Sequence, residues 1–259
     1  MNTKKIISAV LAVLVLSIAG CSKKDTQRTI EDIKKSGTLK VGVKADVPGF
    51  GLQGASGDYE GLEIDIARLF AQDIFGDDSK ITLTPVTAKT RGPLIDNGDV
   101  DMIIATFTIT EERKLSYNFT MPYYTDAVGM LVLQTSGIKS LKDCNGKTIG
   151  VAQSATSMET IKAAAAELGI NVKFQEYATY PEIKAALDSG RADVFSVDKS
   201  ILNGYLDGAS LILPDTFAPQ PYGVVTKLSN TVLAAYADMR ISEWLQSGII
   251  QMLVEKYKL

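Results

Sequence analysis

From residue 39 onward the spacing of hydrophobic positions changes period again and again. Short apolar runs rich in Val and Ile alternate with segments whose apolar residues recur every three or four positions, the pattern of α/β architecture. Segments 39–43, 81–86 and 102–105 read as strands. Between them, Leu62, Ile66, Leu69, Phe70 and Ile74 share one face of a helix, and a short helix surrounds Pro93-Leu94-Ile95. Segments 148–152, 172–177 and 194–197 also read as strands. A helix carrying Met158, Ile161, Ala165 and Leu168 follows the first of these, and a helix over 181–187 precedes the last. Residues from Val232 to Leu253 have helical spacing to near the end of the chain.

The pattern repeats. A shift of 92 residues lays Leu94-Ile95-Asp96-Asn97-Gly98-Asp99-Val100-Asp101-Met102-Ile103 on Ala186-Leu187-Asp188-Ser189-Gly190-Arg191-Ala192-Asp193-Val194-Phe195. Each copy spells a helix, an Asp-x-Gly or Ser-Gly turn, then a buried strand entered through x-x-Asp. Val41-Gly42-Val43 is echoed by Ile149-Gly150-Val151. Two similar α/β lobes therefore share the chain. Segment 123–132 reads as a crossing strand between them, and 219–225 as the return crossing. This predicts lobe one over 37–127 plus 224–259 and lobe two over 128–223, with the two crossings as a hinge. Closure about a ligand is the motion such a hinge serves.

The first 20 residues fall outside that pattern. Lys4 and Lys5 are followed by mostly apolar residues to Ile18, a run shorter than the ~20 of a membrane-spanning helix. This reads as an export signal over 1–20. Ile18-Ala19-Gly20-Cys21 resembles a bacterial lipobox, so Cys21 is expected to carry lipid, with a polar tether over 21–36. The alternative is a buried or disulfide-bonded Cys21. Cys144, before Asn145-Gly146, reads as a small semi-buried residue with nothing nearby to make it a reactive thiolate.

Charge narrows the function. The chain holds 27 Lys+Arg against 30 Asp+Glu; without residues 1–20 the count is 25 against 30, a net charge of −5. That balance argues against nucleic acid as a partner. No histidine is present, so His-based metal sites and Ser-His-Asp triads are excluded. No metal or cofactor is expected.

Candidate chemistry gathers past the C-terminal ends of strands, where open α/β sheets bind ligands. Under the 92-residue shift Thr106 falls on Asp198. Thr106, Thr108 and Thr110 lead to Arg113, whose planar fork suits a carboxylate. Thr110 is placed to cap a short helix starting with Glu111 and Glu112; Arg113 could instead be a solvated residue balancing those two acids. In lobe two, Gln153-Ser154-Ala155-Thr156-Ser157 joins a strand to a helix whose first N–H groups can receive an anion. Asp198 fits an ammonium, or caps the helix near Ser200, or does both. A carboxylate clamp beside an Asp describes an α-amino acid zwitterion.

These residues, with Gly61-Leu62-Glu63-Ile64-Asp65-Ile66-Ala67, Thr108-Ile109-Thr110-Glu111-Glu112-Arg113 and Asn118-Phe119-Thr120-Met121-Pro122-Tyr123-Tyr124, resemble the bacterial extracellular solute-binding proteins of family 3. The resemblance runs from about residue 37 to the C-terminus. It implies a periplasmic binding protein type II fold and delivery of an amino acid to an ABC transporter permease. It also implies that Arg113, helped by Thr108 and Thr156, grips the ligand carboxylate, while Asp198 and Thr106 take the ammonium. Two positions depart from the family pattern: Ala155 stands where Gly is usual, and Lys44 where many relatives have an acid.

Lys44 and Arg91, each just past a strand, would add positive charge near the cleft mouth. With the α-groups matched by Arg113 and Asp198, two surplus cations argue for a second carboxylate on the ligand, and the motifs around Lys44, Arg91 and Asp198 look like the aspartate/glutamate-binding branch. Ordinary solvated charges at Lys44 and Arg91 are the alternative. Tyr180 and Tyr222 would close the pocket or pack at the lobe edge. The expectation is a monomeric, exported, lipid-anchored protein that binds L-aspartate or L-glutamate and is not an enzyme. Another polar amino acid such as glutamine or cystine, a sensing or adhesion lipoprotein, and a cyclohexadienyl-dehydratase-like enzyme on the same fold are the alternatives.

Overall fold

A computed structural model describes residues 28–259, so the expected export signal and Cys21 lie outside the described residues. The described chain opens on helix α1 (Ile30–Ser36), started by a reciprocal cap between Thr29 and Asp32 and ended by Gly37 in the left-handed conformation. Ile33 of this helix is buried, and Arg28 Nε donates to Asp101 Oδ1 at 2.8 Å. The tether expected over 21–36 therefore does not extend through that range: one apolar side chain and one ion pair hold residues 28–36 to the body.

Lobe one is built on strands β1 (Leu39–Val43), β5 (Ile81–Pro85), β6 (Met102–Ile104), β7 (Tyr117–Phe119) and β14 (Val225–Lys227), in the order β5-β1-β6-β14-β7. β1 is parallel to both β5 and β6. A small antiparallel sheet that the sequence reading did not foresee, β2 (Asp46–Val47), β3 (Gly51–Gln53) and β4 (Tyr59–Glu60), precedes helix α2 (Leu62–Phe75). Helix α3 (Arg91–Asn97) precedes β6, and the single turn α4 (Glu111–Lys114) follows it.

Lobe two has the order β10-β9-β11-β8-β12, with β8 (Tyr124–Leu133), β9 (Thr148–Ala152), β10 (Lys173–Tyr177), β11 (Val194–Asp198) and β12 (Ser210–Ile212). Helices α5 (Ser157–Glu167), α6 (Tyr180–Asp188) and α7 (Lys199–Asn203) accompany it. Strand β13 (Phe217–Tyr222) pairs antiparallel with β8, Tyr222 opposite Tyr124 and Gln220 opposite Asp126. The outgoing and returning crossings thus pair with each other as a two-strand hinge. After β14, helices α8 (Thr231–Gln246) and α9 (Ile249–Tyr257) pack on β7, β14 and α2 of lobe one. The two-lobed α/β architecture expected from the repeat is the one observed.

The repeated aspartates have the same task in both lobes. Asp101 Oδ2 accepts from Lys40 N at 2.8 Å, and Asp193 Oδ2 accepts from Thr148 N at 2.8 Å. Each Asp also donates its own N–H to the same residue's carbonyl, at 2.9 and 2.8 Å. A carboxylate at that corner pins the start of the third strand of each lobe to the start of the first and satisfies an N–H the ladder leaves over. The repeat recorded in the sequence is a repeated hydrogen-bonded corner.

Candidate functional site

The cleft is assembled from chain segments just past the ends of β1, β6, β9 and β11. Lobe one contributes Lys44, Arg91 and the run from Thr106 to Arg113. Thr106 has φ +44°, a conformation that a β-branched residue rarely adopts. This turn ends the alternation that would have aligned Thr106, Thr108 and Thr110 on one face. Thr108 makes a lone bridge to Tyr222 of the hinge, and Thr110 caps α4, accepting from Arg113 N at 3.2 Å.

Between Thr106 and Thr108, the Phe107 ring supports both guanidiniums. Arg91 Cζ lies 3.8 Å from its centroid and Arg113 Cζ 4.9 Å. Stacking of this kind suits arginine's planar, weakly hydrated head. Arg91 Nη1 also donates to the carbonyls of Ala105 and Thr106, at 2.5 and 3.0 Å. Arg113 Nη1 donates to Thr108 O at 2.8 Å, and its Nη2 crosses to Ser154 O of lobe two at 3.1 Å. Burial, with the Arg91 charge second, pushes Arg113 down to about 9. Two guanidiniums on one ring, Arg91 buried and Arg113 half-buried, make a strong demand for an anion.

In lobe two, Ser154 has φ +62° and turns the chain into α5. Thr156 begins that helix without a side-chain cap; its hydroxyl donates to Gln220 Oε1 at 2.7 Å. Thr110, Glu112 and Arg113 face Ser154, Ala155 and Thr156 across a groove of about 460 Å³. Asp198 was expected either to meet an ammonium or to cap α7. Asp126 does the capping, accepting from Ser200 N at 2.9 Å, and the Asp198 side chain makes no cap bond. It accepts from the Tyr222 hydroxyl instead. Burial raises the Asp198 carboxyl to about 7, against that hydrogen bond and the nearby arginines, which lower it. A buried carboxyl in this condition is relieved by a cation.

The reading of Lys44 needs correction. Lys44 and Arg91 are not the ordinary solvated charges of the alternative reading; they are only 2% and 3% exposed. Nor are both surplus, because Lys44 Nζ lies 2.9 Å from Asp46 Oδ1. Asp46, two residues on, returns to the lysine through the tight turn into β2. The same ammonium lies 4.6 Å from the Tyr180 ring centroid, and Asp46 Oδ2 accepts from Tyr180 N at 3.4 Å. Tyr180 and Tyr222 are both buried, Tyr180 closing against lobe one and Tyr222 holding Asp198. Arg91 remains the buried cation met by carbonyls and a ring rather than by a carboxylate.

The fold brings Lys44, Arg91, Thr106, Thr108, Arg113, Ala155, Thr156, Tyr180, Asp198 and Tyr222 to the facing surfaces of the two lobes. Gln153 is held through its backbone N–H to Tyr177 O at 2.9 Å, one residue before the carbonyl that meets Arg113. Glu63 and Phe107 belong to the site, and the sequence reading assigned them no role in ligand binding. Glu63 was legible in part, since it shares the apolar face of α2 with Ile66, Phe70 and Ile74, a place where a carboxylate is uncommon. Four buried side-chain atoms in this region have no hydrogen-bond partner: Arg91 Nε, Thr106 Oγ1, Glu63 Oε2 and Asp46 Oδ1, the last in ion-pair contact with Lys44. Native interiors seldom leave such groups unmet, so their gathering in one place marks a ligand site. Cys144 is buried and unpaired, its thiol pushed up to about 11 by burial and then by Asp143, in keeping with an inert role.

Known proteins resemble this chain in sequence and fold. Residues 39–148 match the model for bacterial extracellular solute-binding proteins, family 3, and residues 121–241 match one described as NMT1/THI5 like. The chain is 38% identical to a glutamine-binding protein of Geobacillus stearothermophilus, over 83% of this chain and 89% of that one. It is 34% identical to the ABC transporter glutamine-binding protein GlnH of Bacillus subtilis, over 98% and 97%. An ancestral arginine-binding protein solved with arginine superposes with a TM-score of 0.77 at 31% identity, over 85% of this chain and 98% of that one. With the periplasmic binding protein type II fold, and relatives of this likeness along nearly its whole length, the chain belongs to the bacterial extracellular solute-binding proteins of family 3.

Proposed function

We propose that the protein is an extracytoplasmic, lipid-anchored receptor that captures an acidic amino acid, L-glutamate or L-aspartate, and hands it to an ABC transporter permease. The observation that carries the acidic assignment is Arg91: a buried guanidinium with an unpartnered Nε and no carboxylate against it. Arg113 on lobe one, facing the Ser154–Thr156 turn, is the carboxylate grip, with Thr108 and Thr156 beside it. Asp198 and Thr106 receive the ammonium. A ligand side-chain carboxylate then meets Arg91. Charged partners buried this way are costly to remove, by roughly 2–5 kcal/mol when one member is truncated.

Arg91→Ala is expected to lower glutamate affinity at least tenfold more than glutamine affinity. Titration calorimetry on the chain lacking residues 1–27 reads both. Glutamine binding tightly while glutamate does not bind would refute the acidic assignment. Glutamine is the second reading, favoured by the Lys44–Asp46 pair, which leaves one unmatched cation instead of two, and by the names of two relatives. For the anchor, Cys21→Ser is expected to move the protein from the membrane to the soluble fraction of the producing cells. An unchanged partition would sink that assignment. Import itself is checked by uptake of labelled glutamate with and without the protein.

A further inference from the structure

Glu63 lies in the first turn of α2, fully buried, between the ligand-facing turn of lobe one and the start of the hinge. Its Oε1 accepts from Thr106 N, the residue at φ +44°, and from the Tyr123 hydroxyl, immediately before β8. Its Oε2 has no partner. One carboxylate oxygen thus ties the strained turn to the hinge; Thr106, whose N–H it receives, also takes Arg91 Nη1 on its own carbonyl at 3.0 Å, so the carboxyl and that guanidinium meet at one residue. No part of the ligand grip by Arg113 and Asp198 requires it.

We propose that Glu63 is a positioning residue for Thr106, and that its state of ionisation decides whether the cleft accepts a negatively charged ligand side chain, a neutral one being taken in either state. The proposal rests on the reading that the ligand is an amino acid of the glutamate or glutamine type. Besides Glu63, five ionisable side chains bear on the pocket. Lys44 follows β1, Asp46 pairs with it, and Arg91 starts α3; Tyr180 comes from α6 and Tyr123 from the hinge. With both tyrosines neutral and Glu63 ionised, two cations face two anions, and a neutral carboxamide fits. With Glu63 protonated the pocket carries one net positive charge, and a carboxylate fits. Burial raises the Glu63 carboxyl to about 7, opposed by the donors Tyr123 and Thr106 and then by the charges of Lys44 and Arg91. Both states are therefore populated near neutral pH.

The sign follows from linkage. Glutamate favours the protonated carboxyl, so its binding takes up a proton and weakens as pH rises past Glu63's own value, whereas glutamine has no such dependence. Asp198 meets the α-ammonium common to both ligands, so its titration cancels in their ratio. Calorimetry with glutamate and glutamine from pH 5.5 to 8.5, in two buffers of different ionisation enthalpy, reads both affinity and proton uptake. The ratio of glutamate to glutamine affinity is expected to be flat below about pH 6 and to fall toward tenfold per pH unit above about 7. Glutamate alone should show the extra proton uptake. Glu63→Gln keeps an acceptor for Thr106 and Tyr123 and cannot ionise, so it should give a flat ratio that favours glutamate. A flat ratio in the native protein, or the same slope surviving in Glu63→Gln, overturns the proposal while leaving the receptor reading intact. If neither amino acid binds, the receptor reading fails and this proposal fails with it. The native protein's own pH series decides the matter even where the variant does not fold.

Discussion

Arg113→Ala is expected to lower the affinity for every α-amino acid by roughly 100-fold or more, whatever the side chain. Losing one member of a buried, hydrogen-bonded charge pair costs about 2–5 kcal/mol, with tenfold in affinity per ~1.4 kcal/mol. The guanidinium is placed to make that full cost felt. It lies over Phe107, one amino group is fixed to Thr108 O, and the other reaches Ser154 O of the opposite lobe. Removal therefore takes away the carboxylate grip and one of the contacts that draws the lobes together. Arg113→Lys should recover only part of the loss, because a point charge cannot stack and fork at once. The side chain is not part of a core cluster, so melting temperature in the absence of ligand should stay close to that of the parent. Titration calorimetry and a thermal melt measure both. An unaffected affinity would move the site elsewhere.

The largest effect on stability is expected at Gly61. Its φ of +129° with ψ of 168° is a conformation open essentially to glycine alone. A Cβ there would lie 2.1 Å from Phe50 O and 2.3 Å from Phe50 C, and backbone cannot give way as a side-chain tip can. The contact exists because Leu62 N and Glu63 N donate to Gly49 O and Phe50 O, at 2.8 and 2.9 Å, which seats the start of α2 on the turn between β2 and β3. Gly61→Ala is expected to cost about 4 kcal/mol or more, a large share of the ~5–15 kcal/mol of a typical domain. Denaturant unfolding would show it, or loss of soluble protein on expression. A shift under 1 kcal/mol would mean that the chain between residues 49 and 61 adapts freely. A partly folded variant should also bind weakly, since Glu63 and its strap on Thr106 move with the start of α2.

These expectations differ in how far they were visible beforehand. Arg113 stood out from its place after a strand and a threonine cap, and Asp198 from the 92-residue shift that sets it where Thr106 stands in the other lobe. Both inferences use local order plus topology. The paired aspartates Asp101 and Asp193 belong to the same class, for a repeated corner leaves a repeated sequence. Lys44 was misjudged in kind. Position after a strand does not say whether a buried lysine already has a counter-charge, and Asp46 became its partner only when the turn into β2 folded back. Glu63 makes its bonds to residues 43 and 60 positions away, and Arg28 meets Asp101 across 73. No spacing rule reaches that far.

The chain's own order of residues determined the alternation of strands and helices, the division into two like lobes and the place where their strand ends meet. Those depend on periodicity and on backbone preferences that act within a few residues. Tertiary structure decided the electrostatics of the cleft. It paired Lys44 with Asp46, gave the capping of α7 to Asp126 so that Asp198 was free for the cleft, and set two arginines on one phenylalanine. It also buried a carboxylate beside them. Which charge is balanced, and by what, depends on which distant segments close over it and how much water they exclude, because the energy of a buried charge is set by its surroundings and not by its neighbours in sequence.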